Sequence, residues 1–382
     1  MCFTEVNMED LQSLRNGIDK VDEDIFRLFI KRMELCKGVA DYKKLHNMPV
    51  FQGGREQQVI DHILSLTEKP ELENGSAALF TTIMDISKIL QNRTILAEKE
   101  AYKFTEPDFK GATRIGCQGT MGANSEAAAK SVFGNREFTF YQSFEDVFSA
   151  VQNGELDYGV LPVQNSTAGS IASTYDLMAK YQVYIVREVI IEINHCLAAK
   201  NDMPLSEIKK VYSHPQALAQ CETFLRKNGL KTSGYGNTAT AAENVMNSNE
   251  PIAAICSVDC AEQRGMAILA KDIADASLNR TQFIIISKDM QVAPDSDSVS
   301  VMLTIPHKEG SLYRMLTKFY VNNMNLIRIE SRPIRDGSFD VMFFLDFTGK
   351  ITDPSVKAVM RDLEENCDSF RCIGTFRCEH ME

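Results

Sequence analysis

Tyr158-Gly159-Val160-Leu161-Pro162-Val163-Gln164-Asn165-Ser166-Thr167-Ala168-Gly169-Ser170 is followed by Ile171-Ala172-Ser173-Thr174-Tyr175-Asp176-Leu177-Met178. Val160, Leu161 and Val163 read as a short buried strand. Gln164 to Gly169 is a polar loop, and Ser170 or Ser173 is placed to cap the helix that follows. A strand running into a hydroxyl-rich loop at a helix N-terminus makes an anion pocket. Free N–H groups point outward there and the helix dipole favours negative charge. An ordinary strand-to-helix turn has the same local pattern. Other polar loops favour the functional reading: Gly119 to Ser125, Asn194-His195-Cys196, Ser213-His214-Pro215-Gln216 and Asn279-Arg280-Thr281-Gln282-Phe283.

Outward from this stretch, strands and helices alternate. Arg114 to Cys117, Phe138 to Tyr141, Val211-Tyr212, Ala253 to Ser257 and Phe283 to Ser287 read as strands; Glu126 to Val132 and Phe144 to Gln152 read as helices. The pattern is α/β. Gly116, Gly119 and Gly122 do not make a dinucleotide fingerprint, because two residues separate each glycine and no acidic residue ends the next strand.

The chain has 382 residues, 44% hydrophobic and 24% charged, with a formal net charge of −11. That length suits two or three soluble globular domains. The acidic balance argues against nucleic acid or an anionic membrane as partner, so an anionic ligand needs locally gathered cations. The acidic, mixed start reads as neither signal peptide nor membrane span, and a cytoplasmic location is expected. The ten cysteines then read as reduced thiols. Cys256 and Cys260 are four apart, but no second pair or nearby His completes a metal site.

The first 100 residues obey another rule. Leu11, Leu14, Ile18, Val21, Ile25, Leu28, Leu35 and Val39 alternate three and four apart, a helix seam of about four heptads. Pro49 is expected to end that helix and Gly53-Gly54 to open a second. A third carries Leu79, Phe80, Ile83, Ile86 and Leu90, with Ser87 and Gln91 on one face. Three helices of such unequal length leave the long seam uncovered, which implies dimerisation through it. One seam position is wrong: Arg32. A buried guanidinium needs carboxylates or an anionic ligand.

Arg15, Arg32, Lys43, Pro49-Val50, Arg55-Glu56, Ser87 and Gln91 match in order and spacing the all-helical chorismate mutases, which residues 1–100 resemble. The resemblance implies an intertwined dimer, with Arg15 of the partner subunit reaching in. It places Arg32 and Arg55 on substrate carboxylates and makes Lys43 and Gln91 catalytic, flanking the ether oxygen of the breaking bond. Glu56 and Ser87 would meet the substrate hydroxyl and neighbouring groups. Gln52 stands where the family often has Asp; its amide still reaches a hydroxyl, so tuning is expected. A Claisen rearrangement needs no nucleophile, metal or cofactor, only a compact substrate and stabilised charge on the ether oxygen.

Residues 98–111 are charged, end in Pro and Gly, and mark a boundary. Beyond it the polar loops, taken together, resemble prephenate dehydratase over residues 112–290. The resemblance implies a two-lobed α/β domain like a small periplasmic binding protein, with its site in the cleft. It assigns prephenate contacts to Ser125, Gln164, Asn165, Ser166, Thr167, His214, Thr281, Gln282 and Phe283. It also makes Thr281 the candidate catalytic residue, donor or orienter of the proton that the leaving hydroxyl takes. Two positions depart from the family. It commonly has Pro-Ile-Glu-Asn against Pro162-Val163-Gln164-Asn165, and Thr-Arg-Phe against Thr281-Gln282-Phe283. Loss of an acid and a base together suggests a former pair, now neutral, so the two amides are expected to bond or to lie on facing cleft walls. The harsher reading is a weakened dehydratase whose missing Arg held a carboxylate. Arg280 would compensate only if the loop shifts.

Residues 298–382 follow the order βαββαβ, with strands at 298–305, 326–333, 339–347 and 370–376 and helices at 310–321 and 354–365. That is the ferredoxin-like motif. Gly310-Ser311-Leu312 and Glu330-Ser331-Arg332-Pro333 match the two motifs of ACT domains that bind phenylalanine, at a subunit interface, in prephenate dehydratases. Gly310 is expected to allow close backbone approach. In this order the three segments resemble the bifunctional chorismate mutase–prephenate dehydratases of phenylalanine biosynthesis. That implies conversion of chorismate to prephenate, then loss of water and carbon dioxide to give phenylpyruvate. It also implies phenylalanine as feedback ligand and a homodimer or higher oligomer. The alternatives are an arogenate dehydratase, whose substrate differs only by an amine, and a phenylalanine sensor with a decayed central cleft.

Overall fold

The computed structural model describes residues 11–96, 104–276, 278–334 and 340–378. The chain divides into two compact units, and the C-terminal segment contributes to both.

The first unit is helical and comprises residues 11–96 with Ile305–Asn325 and Thr352–Ser369. α1 (Leu11–Leu45) is 35 residues long, a span of about 50 Å. It ends before Pro49 is reached. Asn47 takes a left-handed φ of 52°, and the Met48 N–H donates back to the Lys43 carbonyl at 2.9 Å. This Schellman closure satisfies the last carbonyls, so asparagine and not proline terminates the helix. α2 (Gly53–Ser65) and α3 (Glu73–Leu96) follow. α3 is the centre of the unit and packs against α1, α2 and two helices from the C-terminal segment, α11 (Ser311–Tyr320) and α12 (Pro354–Asn366). Its buried residues include Met84 and Ile89, but also Asp85, Ser87, Lys88, Gln91 and Asn92. Such a polar stripe costs desolvation unless partners meet it. The seam of α1 stays exposed in the single chain, from Leu11 and Leu14 through Ile18, Val21, Ile25 and Leu28.

The second unit comprises residues 104–304, Leu326–Ile351 and 370–378 and contains two sheets. The larger begins with β1 (Ile115–Gln118), β2 (Thr139–Tyr141), β3 (Tyr158–Asn165), β4 (Gly169–Ser170) and β5 (Tyr184–Glu192), linked through α4 (Asn124–Phe133), α5 (Phe144–Asn153) and α6 (Ala172–Lys180). α5 opens with a capping box between Ser143 and Asp146, worth on the order of 1 kcal/mol. α6 has Ile171 at its N-cap and no side-chain cap. Neither Ser170 nor Ser173 caps it, because Ser170 is drawn into β4 against Gln164. β11 (Arg280–Ser287) lies antiparallel between β3 and β5. Its alternate residues feed two cores: Ile284 and Ile286 join Leu161 and Phe148, while Phe283 and Ile285 join Ile115 and Val186.

The smaller sheet has the order β10-β6-β9-β7-β8. Its strands are β6 (His195–Ala199), β7 (Lys210–Ser213), β8 (Thr232–Gly234), β9 (Ile252–Ser257) and β10 (Ala267–Ala270). They alternate with α7 (Pro215–Gln220), α8 (Glu222–Lys227), α9 (Thr238–Asn247) and α10 (Val258–Gln263). The chain passes between the sheets twice, from β5 to β6 and from β10 to β11, which gives the expected two-lobed α/β arrangement.

The remaining strands are β12 (Ser298–Thr304), β13 (Leu326–Pro333), β14 (Val341–Thr348) and β15 (Ser369–Phe376). Their order, β13-β14-β12-β15, is the ferredoxin-like one. Phe339, the expected start of a strand, lies outside the described residues. β15 extends the larger sheet by pairing Gly374 with Ile185 of β5. Gly374 has φ +155°, and a Cβ there would strike the Ile185 backbone. Only glycine fits that join.

Candidate active sites

In the helical unit Arg32 and Ser87 meet: the guanidinium donates to the Ser87 hydroxyl at 2.6 Å. Arg32 is half-buried, and among the described residues no carboxylate pairs with it. Lys43 is buried where α1 ends and donates to the Val50 carbonyl at 2.7 Å. Burial pulls its pKa below the ordinary lysine value, against the opposing charges of Cys36, Glu56 and Glu365. Gln91 is buried one helical turn from Ser87, and its carbonyl oxygen has no partner among the described residues. Glu56 is held by Lys88 at 3.0 Å, and Lys88 by Asp85 at 2.9 Å. Burial alone would lower Lys88; Asp85, Asp362 and Glu56 hold it above the ordinary value. Arg314 of α11 adds a two-pronged bond to Asp85 at 3.0 and 3.2 Å and approaches Glu56 at 3.7 Å. Arg15 and Arg55 are exposed, and Gln52 sits at the N-cap of α2. Sequence reasoning missed Lys88 and Arg314. The first neighbours Ser87 and was hidden by its helix-forming character; the second lies in a distant segment with no local signal.

In the second unit a cavity of about 230 Å³ opens between the sheets. Ser125, Asn165, His214, Thr281 and Phe283 line it; Gln164, Ser166, Thr167 and Gln282 do not. Asn165 is the hub. Its amide N–H donates to the Thr281 hydroxyl oxygen at 2.8 Å and to the Asn279 carbonyl at 2.9 Å. Its own carbonyl accepts from Thr167 and Ala168, which folds the loop after β3. Because Thr281 accepts from Asn165, its own O–H proton is free to point into the cavity. Ser166 instead bridges to the Arg280 backbone at 2.9 Å. His214 is the N-cap of α7, its Nδ1 accepting from the Gln216 N–H. His195 bonds Gln220 at 2.9 Å, and burial lowers its pKa.

The cavity wall also holds the first residues of α4 and α9: Asn124 and Ser125, and Asn237 with Thr238. Both helices run ten residues. α4 has no side-chain cap, which leaves N–H groups for a ligand. Among the described lining residues the titratable side chains are His195 and His214 alone. The Asn237 cap was readable as a helix start; Gln220, at the far end of α7, had no signal.

Gln164 and Gln282 are register partners on adjacent strands, not residues of facing cleft walls. Asn165 and Thr281 take the cavity side, so their immediate neighbours face away; in β3 the extra residue Val163 reverses the alternation, which sets Gln164 apart from the cavity-lining Pro162. Gln282 bonds Glu188 and Arg328 and not Gln164.

Gly310 adopts φ +74° as the N-cap of α11, with open space around it. Its requirement is the left-handed conformation and not the close approach expected. Ser311 and Leu312 open α11 in the first unit. Glu330 and Ser331 lie on β13 in the second, where the Glu330 carboxylate accepts from Ser170 at 2.6 Å.

The chorismate mutase type II family profile matches residues 14–92, and the prephenate dehydratase profile matches residues 115–291. The bifunctional chorismate mutase/prephenate dehydratase of Aquifex aeolicus is 30% identical over 373 residues, 97% of this chain and 98% of its own. The chloroplastic arogenate dehydratase/prephenate dehydratase 2 of Arabidopsis thaliana is 33% identical over 308 residues, 77% of this chain and 81% of its own. A crystal structure of prephenate dehydratase in complex with L-Phe, from Arthrobacter aurescens, superposes with a TM-score of 0.64 at 28% identity, covering 69% of this chain and 90% of that one. With two such domains in this order and a full-length relative at this identity, the chain belongs to the family of bifunctional chorismate mutase/prephenate dehydratases.

Proposed function

We propose that the helical unit rearranges chorismate to prephenate and that the cleft removes water and carbon dioxide from prephenate to give phenylpyruvate. In the first step Arg32 and Arg55 hold carboxylates, while Lys43 and Gln91 stabilise charge on the ether oxygen. The Gln91 carbonyl, without a partner among the described residues, and the Arg32–Ser87 pair support a polar ligand there. In the second step Thr281 gives a hydrogen bond or proton to the departing hydroxyl, oriented by Asn165. The observation that carries this reading is the Asn165-to-Thr281 bond, which leaves the threonine proton for the substrate. Helix N-termini in place of arginines receive the carboxylates.

Arogenate is the second reading, favoured by the Arabidopsis relative. Its ammonium would want a carboxylate, and the described lining residues include none, which supports prephenate. We further propose that the βαββαβ segment is an ACT domain that binds phenylalanine through Gly310, Ser311, Leu312, Glu330 and Ser331, and that the exposed seam of α1 is a homodimer interface. The exposed apolar residues on α1 support the second point. No described helix is long and apolar enough to cross a membrane. The test supplies chorismate and follows prephenate and phenylpyruvate separately, with and without phenylalanine. Both products should form in turn, the second suppressed by phenylalanine. Prephenate accumulating without phenylpyruvate would refute the dehydratase half.

A further inference from the structure

The ladder between β11 and β3 is irregular beside the catalytic candidate. Gln282 pairs with Gln164 and Phe283 with Pro162, so β3 carries one extra residue, Val163, while β11 keeps an even register with β5 from Arg280 to Ile285. A bulge loosens backbone pairing and re-aims side chains, so on the β3 side the aim of Thr281 depends on side-chain contacts as well. The Gln282 side chain is gripped at both ends on the face away from the cavity. Its amide N–H donates to the Glu188 carboxylate of β5, and its carbonyl accepts from Arg328 of β13. Arg328 also donates to Glu188 at 3.4 Å and to Asp346 of β14 at 2.6 Å. The cluster is desolvated: the Glu188 side chain is 1% exposed and that of Arg328 10%. Tyr175, Asp346 and Cys378 are the other ionisable groups facing Glu188. Burial, with Asp346 nearby, pushes Glu188 up to about 7, against the pull of Arg328 and Gln282.

We propose that Arg328 is a positioning residue for dehydration: by tying β13 and β14 to Gln282 and Glu188, it fixes the segment of β11 opposite the β3 bulge, the segment that aims Thr281 into the cavity. The inference rests on the reading of Thr281 as the catalytic hydroxyl. Strand β13 makes two further ties beside this one, Glu330 to Ser170 and Arg332 to Asp176 at 2.9 Å. Alternate residues of one strand thus brace β11, the loop after β3, and α6.

The test uses full-length protein and follows the two activities separately. Gln282→Ala removes the grip while keeping every charge. Arg328→Met removes the guanidinium, and Arg328→Met with Gln282→Arg returns one from β11. A slight misplacement of a catalytic group costs about a hundredfold, so each single variant should lower dehydratase kcat by roughly that factor, with KM for prephenate within about threefold. Mutase turnover should not change. The double variant should recover to within about tenfold of the starting kcat. A folded Gln282→Ala with unchanged kcat overturns the proposal; so does a loss confined to KM, or a double variant that folds and does not recover. If Arg328→Met fails to fold, Gln282→Ala and the double variant decide. Thr281→Ala in parallel separates the claims. Wild-type turnover there refutes the catalytic reading of Thr281, whereas a dead Thr281→Ala beside an unimpaired Gln282→Ala refutes the positioning role alone.

Discussion

The helical unit and the cleft are built to meet small carboxylates, and they do it with different chemistry. Around α3 the polar groups are full charges: Arg32, Lys43, Glu56, Asp85, Lys88 and Arg314. Around Thr281 they are amides, hydroxyls and the starts of helices. A rearrangement develops charge on one ether oxygen, and a nearby cation stabilises it directly. Dehydration needs one placed proton, so a neutral site with a fixed donor suffices. On the proposed reading, an acidic chain, at −11 overall, would accommodate anions twice, with gathered cations in one unit and backbone dipoles in the other.

Three substitutions and one titration probe this contrast. Arg32→Ala should have the largest effect, lowering mutase activity roughly a thousandfold and leaving dehydration of added prephenate intact. Equal loss of both activities in a folded protein would erase the distinction between the sites. Thr281→Ala should lower dehydratase turnover about a hundredfold or more with mutase preserved. Near-normal turnover would reduce Thr281 to a strand residue. The pH response should be milder. Lys43 must be protonated to donate, and burial lowers its pKa, so it loses its proton at a lower pH than a free lysine. Mutase activity should therefore begin to fall at a lower pH than the titration of a free lysine would allow, while a dehydratase relying on Thr281 and Asn165 stays level. A mutase profile that stays flat until free lysines titrate would remove Lys43 from the reaction. Arg314→Ala should be smallest. The side chain is 42% exposed, so denaturant melts should show no more than about 1 kcal/mol lost.

The α/β alternation was legible because strands such as Val160 to Val163 and Ile284 to Ile286 are continuous apolar runs. The short β8 and β10 were not, since three or four residues carry no period. The end of α1 was misplaced because Pro49 is a louder signal than Asn47, whose left-handed turn closes the helix first. In the cleft, Asn165, His214 and Thr281 stood in loops flanked by strand and helix patterns, and the cavity contains them. Gln164 and Gln282 misled because a motif names neighbours without saying which face each takes. The partners Arg328 and Arg314 were unreadable: each acts across a separation of dozens to hundreds of residues, with nothing local to mark it.

The division of residues 298–378 has a practical consequence. The chain changes unit at 304/305, 325/326, 351/352 and 369/370, so helices α11 and α12 are counted with one activity and strands β12 to β15 with the other. A gene fragment ending near residue 297 would thus strip both units at once, and no single cut yields a complete mutase unit and a complete dehydratase unit. Heated in a calorimeter, such an interleaved chain should absorb its heat in one transition instead of two. To separate the activities, an engineer must rewire the loops and not just shorten the reading frame.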